Sequence, residues 1–249
     1  MLLLIDGDII VYRSAFGAQR TVNGVLEVDP EHYVKHSIRS TIERICKKLE
    51  SEEVLVHLTA TNDKTNFRLA IDPEYKANRK NFIKPVHYQT ARDYLVASYP
   101  SVTAVGEEAD DIMGVNQCSM YNTCIVSTDK DMDTIPGWHY NWVKDRLYFI
   151  TNFDALKNFY TQLLTGDRAD NVPGVGGIGP VKARRALERC TNEDELFERV
   201  RKEYHDKFAD KASERLLRVG RLLWIRRRND EVWSYPVGGS DGSEIERIE

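Results

Sequence analysis

The sequence predicts an α/β fold built on a mainly parallel central sheet. Three observations carry this expectation. The runs Leu2 to Ile5, Val54 to Leu58 and Thr123 to Ser127 are apolar, of strand length, and lack helical spacing. Each is followed shortly by aspartate. Amphipathic stretches of helix length separate them, the alternation expected when parallel strands are joined by crossover helices.

Taken in order, the first strand ends in Asp6-Gly7-Asp8, and Ile9 to Phe16 reads as a helix carrying Tyr12 and Arg13. Asn23-Gly24 marks a hairpin within 21–28. Val34, Ile38, Ile42, Ile45 and Leu49 recur at three or four residues and define an amphipathic helix. His32 and His36 near its start have no third partner and read as a solvated face. After the second strand comes Asp63, then a basic segment with interleaved aromatics: Tyr75, Lys76, Arg79, Lys80, Phe82, Lys84 and Tyr88. That mixture can grip a nucleic-acid strand by phosphate contact and base stacking, or serve as an exposed connector. A helix over 91–98 and a short strand over 102–105 precede Glu107-Glu108-Ala109-Asp110-Asp111. Four acids in five residues exceed what a helix N-terminus needs, and a cation is the simplest way to neutralise them. The third strand ends in Asp129-Lys130-Asp131. Two strands over 138–143 and 147–150, a helix over 152–165, and three more helices over 180–189, 193–204 and 213–227 complete the expected elements. The glycine- and serine-rich end reads as a mobile tail.

The 249 residues carry 35 Lys and Arg against 39 Asp and Glu, a net charge of −4. The distribution is uneven: residues 1–179 have net charge −5, residues 180–228 have +6, and residues 229–249 have −5. A local basic block can attract phosphate whatever the total. No apolar run is long enough to span a membrane, and the acid at position 6 argues against a signal peptide. Cys46, Cys118, Cys124 and Cys190 lack zinc-ligand or disulfide-framework spacing, which fits a reducing cytoplasm.

The stretch 165–182 combines Asp167 and Asp170 with Gly174, Gly176, Gly177 and Gly179, then Lys182, Arg184 and Arg185. Its acids can hold a divalent cation, and its glycines let backbone N–H groups approach phosphate at a helix start. The glycines match G-x-G-x-x-G, but no strand precedes them, which argues against a dinucleotide fold. Across the chain, nine acids come from five places: Asp6, Asp63, Asp129 and Asp131 after strands, Glu108, Asp110 and Asp111 at the acidic helix start, and Asp167 and Asp170. Oxygen-only donors suit Mg²⁺ or Mn²⁺, and such a set can serve two-metal phosphodiester hydrolysis.

Asp-Pro-Glu-Tyr-Lys-Ala-Asn-Arg-Lys (72–80), Glu-Glu-Ala-Asp-Asp-Ile-Met-Gly (107–114) and Ser-Thr-Asp-Lys-Asp (127–131), in this order, resemble the 5′-nucleases, and most nearly the small phage 5′→3′ exonucleases. The resemblance covers roughly residues 1–230. It implies a PIN-like core (1–165) with a helical arch near 77–92, a helix–three-turn–helix DNA-binding region (166–230) and a tail (231–249). It further implies that the nine acids are the ligands of two Mg²⁺ or Mn²⁺ ions. Lys76 and Arg79 would neutralise the scissile phosphate, and Tyr75 would stack on a base. Tyr12 and Arg13, Lys80, Lys84, the four glycines, Lys182, Arg184 and Arg185 would contact DNA. K⁺ at the helix–three-turn–helix, a duplex with a 5′ end or 5′ flap or an RNA–DNA hybrid as substrate, and a monomer working beside replication proteins, in a host cytoplasm if phage-encoded, are implied as well. Two readings stand beside this one: a non-catalytic DNA-binding relative, and a haloacid-dehalogenase-like phosphatase suggested by Asp6-x-Asp8.

Overall fold

The computed structural model describes residues 1–236. The chain divides into two compact units. The first comprises Met1–Ala70, Arg79–Asn152 and Ile225–Glu231. The second comprises Ile71–Asn78, Phe153–Trp224 and the residues from Val232. The expected boundary at 165/166 differs from this division, since most of the helix before it belongs to the second unit.

The first unit runs β1 (Leu2–Asp6), α1 (Gly7–Gly17), β2 (Gln19–Val22), β3 (Val25–Val28), α2 (Glu31–Leu49), β4 (Val54–Thr59), α3 (Phe67–Ile71), α4 (Tyr88–Ser98), β5 (Ser101–Ala104), α5 (Ala109–Ser119), β6 (Thr123–Val126), β7 (Gly137–Asn141) and β8 (Arg146–Ile150). Six strands form one sheet in the order β5-β4-β1-β6-β7-β8. All neighbours are parallel except the β7–β8 hairpin. Side chains alternate across the sheet with period two. Leu3, Ile5, Val56, Leu58, Cys124 and Val126 face one way and pack with residues of α1, α2 and α4. Leu4 and Ile125 face the other way and pack with Met113 of α5, Met132, Ile135 and Ile225. Being covered on both faces explains why these strands are apolar throughout.

The chain leaves β1 toward β4 and β5, then returns to place β6 on the other side of β1. The β1–β6 pair, with Ile5 opposite Val126, is therefore a topological switch point. In open α/β sheets the crevice beyond the strand carboxyl ends at such a point is where ligands bind.

Little helix forms over 77–92, where the arch is expected. A 3₁₀ turn at Ala77–Arg79 and the start of α4 are the helical parts of that stretch, and residues 80–87 between them contain no helix. Pro85 interrupts the stretch, and eight residues leave little room for a stable helix.

The second unit holds α6 (Asn152–Thr165), the antiparallel pair β9 (Gly166–Asp167) and β10 (Val172–Pro173), α7 (Pro180–Leu187), α8 (Glu193–Phe208) and α9 (Ala212–Leu223). The helix expected over 213–227 stops at Leu223 because the next residues are held by tertiary contacts. Ile225 joins the first unit's core beside Met113, and the Arg226 N–H donates to Asp111 at 3.1 Å. Part of the expected tail is packed: Trp233 is 5% exposed, its ring lying 5.5 Å from that of Phe159. The rest of that tail, 237–249, lies outside the described residues. No helix among the described residues is long and apolar enough to cross a membrane.

Candidate active site

The acidic edge of the first unit is built at the β1–β6 switch point. Asp6 closes β1 and caps α1, its Oδ1 accepting the Ile9 N–H at 3.0 Å. Its Oδ2 accepts from the Ser127 hydroxyl at 2.7 Å. The same hydroxyl accepts the Asp129 N–H at 3.0 Å, and Asp129 Oδ1 accepts the Asp131 N–H at 2.9 Å. Two strand ends and the loop after β6 are thus joined through one buried serine. Asp6 is only 3% exposed. Burial, then the nearby Asp8 and Asp129 charges, push its carboxyl up to about 7, against the pull of its Ser127 and Ile9 hydrogen bonds.

Asp8 belongs to this edge although the sequence did not mark it as a ligand. It accepts the Thr59 N–H at 2.9 Å and pairs with Arg92 of α4 at 3.4 Å. Burial raises its carboxyl, and the bonds from Thr59 and the Arg92 charge oppose the rise. Thr59 also accepts the Ala109 N–H at 3.0 Å, which ties the end of β4 to the start of α5. Glu108, the N-cap of α5, accepts from Asn66 Nδ2 at 3.3 Å. Asp110, in the first turn of α5, and Asp131 are part-buried.

Asp111 is corrected by the structure. It is fully buried, and Arg68 grips it bidentately at 2.6 and 2.8 Å. The Arg226 N–H at 3.1 Å and the Glu108 N–H at 3.0 Å take the remaining positions. A carboxylate has about four lone-pair sites, and all four are used, so Asp111 braces α5 and offers nothing to a cation. Asp63 is also committed to its loop. It accepts from the Thr65 N–H and hydroxyl and from the Gly106 N–H at 2.6 Å, and these bonds hold its carboxyl low.

Tyr12 lies in an aromatic cluster with Phe16, Phe82 and Tyr88, with ring centroids 5.1 to 6.2 Å from its own. Arg13, Arg79, Lys80 and Lys84 are exposed, and Lys84 sits over the Tyr88 ring at 4.2 Å.

In the second unit, residues 74–78 are stitched to 168–171. The Lys76 N–H donates to the Asp170 carbonyl at 2.9 Å, Asn78 to the Arg168 carbonyl at 2.9 Å, and Asn171 to the Glu74 carbonyl at 2.8 Å. Tyr75 is corrected: it is 5% exposed and its hydroxyl donates to Asp170 Oδ2 at 2.9 Å, so it is a buried anchor with no face free for a base. Lys76 Nζ lies 3.6 Å from the same oxygen, and its backbone is left-handed with φ 56°. Asp167 is part-buried and accepts the Ala169 N–H at 2.8 Å.

The glycines separate by role. Gly166 and Gly174 approach so closely that a Cβ on either would overlap the other's backbone, so Gly174 serves packing. Gly177 has φ +89°, a conformation glycine adopts readily, and it and Gly179 face open space. Gly179 caps α7 without a side-chain bond, with Pro180 in the first turn. Lys182 Nζ donates to the Gly177 carbonyl at 2.9 Å, fastening the turn to α7. A cavity of about 600 Å³ lies between this turn, α7 and α8. Lys182, Arg185, Arg199 and Lys207 line it, beside Glu203 and Asp206. Arg184 is exposed on α7.

Among the described residues, no group of three or more His, Cys, Asp or Glu side chains is arranged to hold a metal ion. The donor chemistry nevertheless fits Mg²⁺ or Mn²⁺. These ions take oxygen ligands, and Mg²⁺ keeps several waters and binds through one or two carboxylates plus substrate phosphate rather than in a closed cage. Asp6, with one hydrogen bond on each oxygen, has lone pairs left for that purpose.

Sequence reasoning missed Asp8, Ser127, Arg92, Arg68 and Arg226. The first two lie within motifs already noticed. The arginines meet their acids across 43 to 119 residues of sequence, and no local pattern signals such pairs.

A family model described as the 5′-3′ exonuclease, N-terminal resolvase-like domain matches residues 1–159. DNA polymerase I of Caldicellulosiruptor bescii is 28% identical over 225 residues, covering 81% of this chain and 26% of that protein. The exonuclease of Escherichia phage T7 is 27% identical over 191 residues, covering 72% of this chain and 64% of that protein. The chain thus spans about a quarter of the polymerase and under two thirds of the exonuclease. A bacteriophage T5 flap endonuclease, solved in a pseudo-enzyme-product complex with DNA and metal ions, superposes with a TM-score of 0.67 at 20% identity, covering 89% of this chain and 88% of that one.

Proposed function

Since this chain belongs to the 5′-3′ exonuclease family, we propose that it is a divalent-metal-dependent 5′→3′ exonuclease with 5′-flap endonuclease ability. Its substrate is DNA with a 5′ end or flap, RNA primers on DNA included, and its setting is replication. The observation that supports this best is the acidic edge at the β1–β6 switch point, where Asp6 is buried beside Asp8 with lone pairs still open. Asp6, Glu108, Asp110, Asp129 and Asp131 are our ligand set in the first unit, and Asp167 with Asp170 in the second.

Two Mg²⁺ or Mn²⁺ ions, when bound, supply an ionised water and charge stabilisation of the leaving oxygen. The chain's own side chains do the rest. Lys76 and Arg79 offset the negative charge that develops on the scissile phosphate. Lys76→Ala is expected to lower single-turnover cleavage by at least ~100-fold, as when one such stabilising donor is removed; a loss below about threefold would make it a bystander. The glycine turn, Lys182, Arg184 and Arg185 hold the duplex backbone, and a K⁺ ion at that turn belongs to the same reading. Tyr12, Arg13, Lys80 and Lys84 meet the strand near its 5′ end.

A 5′-flap duplex labelled at either end, incubated with and without Mg²⁺ beside a blunt duplex, tests the proposal. Products released from the 5′ side only with metal support it, and their sizes separate exonucleolytic from flap cutting. Intact DNA under every divalent cation, with the protein still bound, would reject it in favour of a DNA-binding role.

A further inference from the structure

We propose that Ser127 is a positioning residue for the cation-binding carboxylates, acting on both sides of the β1–β6 switch point. This rests on the metal-dependent reading above. Ser127 follows β6 and is 6% exposed. Its Oγ lies 2.7 Å from Asp6 Oδ2 and 3.0 Å from the Asp129 nitrogen. The Asp129 N–H can only donate, so the single hydroxyl proton goes to Asp6. The direction of the relay is fixed by chemistry. Ile9 N–H holds the other Asp6 oxygen at 3.0 Å, so the carboxylate is clamped at both ends while one lone pair on each oxygen stays open. Asp111, with every position filled, shows the contrasting outcome for a buried carboxylate of the same edge. The same hydroxyl sets the start of the loop that carries Asp129 and Asp131, so one group orients ligands from two strands.

Groups that orient metal ligands typically change metal affinity or activity 10–100-fold when removed. Ser127→Ala is therefore expected to weaken Mn²⁺ binding by at least ~10-fold, read by electron paramagnetic resonance titration of the DNA-free protein. Ser127→Thr, which keeps the hydroxyl, is expected to bind Mn²⁺ within about threefold of the unsubstituted protein, well inside that range. In cleavage, the Ala variant should need more Mg²⁺ for half-maximal rate with an unchanged KM for DNA. A change in Mn²⁺ affinity below about twofold for Ala, or a Thr variant as weak as Ala, would overturn the proposal. If the Ala variant is unfolded, Thr and Cys decide it. Cys, a weak donor, should bind Mn²⁺ at least about fivefold more weakly than Thr, and equal affinities would overturn the role of the hydroxyl. Asp6→Asn separates this proposal from its premise. If Asp6→Asn leaves Mn²⁺ binding intact, the metal reading fails; if it weakens binding while Ser127→Ala does not, the positioning role alone fails.

Discussion

Asp6 and Asp111 are both buried aspartates of one acidic edge, and their fates differ through their partners. Asp111 meets Arg68 and two backbone N–H groups, whereas Asp6 meets one hydroxyl and one N–H. An Asp6 carboxyl held at about 7 favours its protonated form in the folded state. The folded protein then binds more protons than the unfolded chain between about pH 4 and 7, so stability falls as pH rises through that window. Metal-free Asp6→Asn is expected to be more stable than the unsubstituted protein at pH 8, by up to about 4 kcal/mol, because burying the ionised carboxylate costs about 1.4 kcal/mol for each tenfold change in proton affinity. The gap should close toward pH 4. Urea unfolding in chelator at both pH values measures it, and equal stability at pH 8 would mean that Asp6 ionises freely. The sequence marks Asp6 as following a strand and Asp111 as part of an acidic helix start, and treats both as candidate cation ligands. It could not show that Asp111 is braced by an arginine and Asp6 is not, because Arg68 lies 43 residues away from the acid it neutralises.

At the scale of elements, the Arg68–Asp111 pair joins α3, α5 and the 225–231 segment. Arg226 extends it, its guanidinium pairing with Glu107 at 2.7 Å and lying 4.2 Å from the Phe67 ring. Removing one partner of a buried pair leaves an uncompensated charge and typically costs about 3–5 kcal/mol. Arg68→Met is expected to destabilise by that amount in urea unfolding. A loss below about 1 kcal/mol, the range of exposed pairs, would show the network to be solvated. Strands and long helices were legible because apolar spacing of two or three to four residues is itself the cause of their packing. The end of α9 was not: Trp224 to Arg226 have helical composition, but the core position of Ile225 and the bond from Arg226 to Asp111 override it. The β9–β10 pair was hidden for a related reason. Its strands are two residues each, and they form because Gly166 and Gly174 can touch.

Over the whole molecule, the net charge of −4 conceals opposite local fields. The basic block over 180–228 follows the glycine turn in sequence, and its Lys182, Arg185, Arg199 and Lys207 line the cavity beside that turn. Arg185→Ala should weaken binding to duplex DNA and lower the slope of log affinity against log salt by about 0.9, the release expected for one phosphate contact. Fluorescence anisotropy across a salt series in chelator reads it, and an unaltered slope would remove Arg185 from the backbone contacts. The uneven charge was legible in sequence, since it is a property of order alone. The grouping of chain segments was less so, because residues 71–78 and 225–231 each leave their sequence neighbours to join another unit.

We propose that carboxylates at the β1–β6 switch point drive phosphodiester cleavage. Single-turnover cutting of a 5′-flap duplex by Asp129→Asn in Mg²⁺, with DNA affinity measured in Ca²⁺, is the decisive experiment. A rate lower by about 10²-fold or more is expected, as when charge stabilisation is removed from a hydrolytic site, with DNA affinity unchanged. Cleavage at the unsubstituted rate would contradict it and move the chemistry away from this edge.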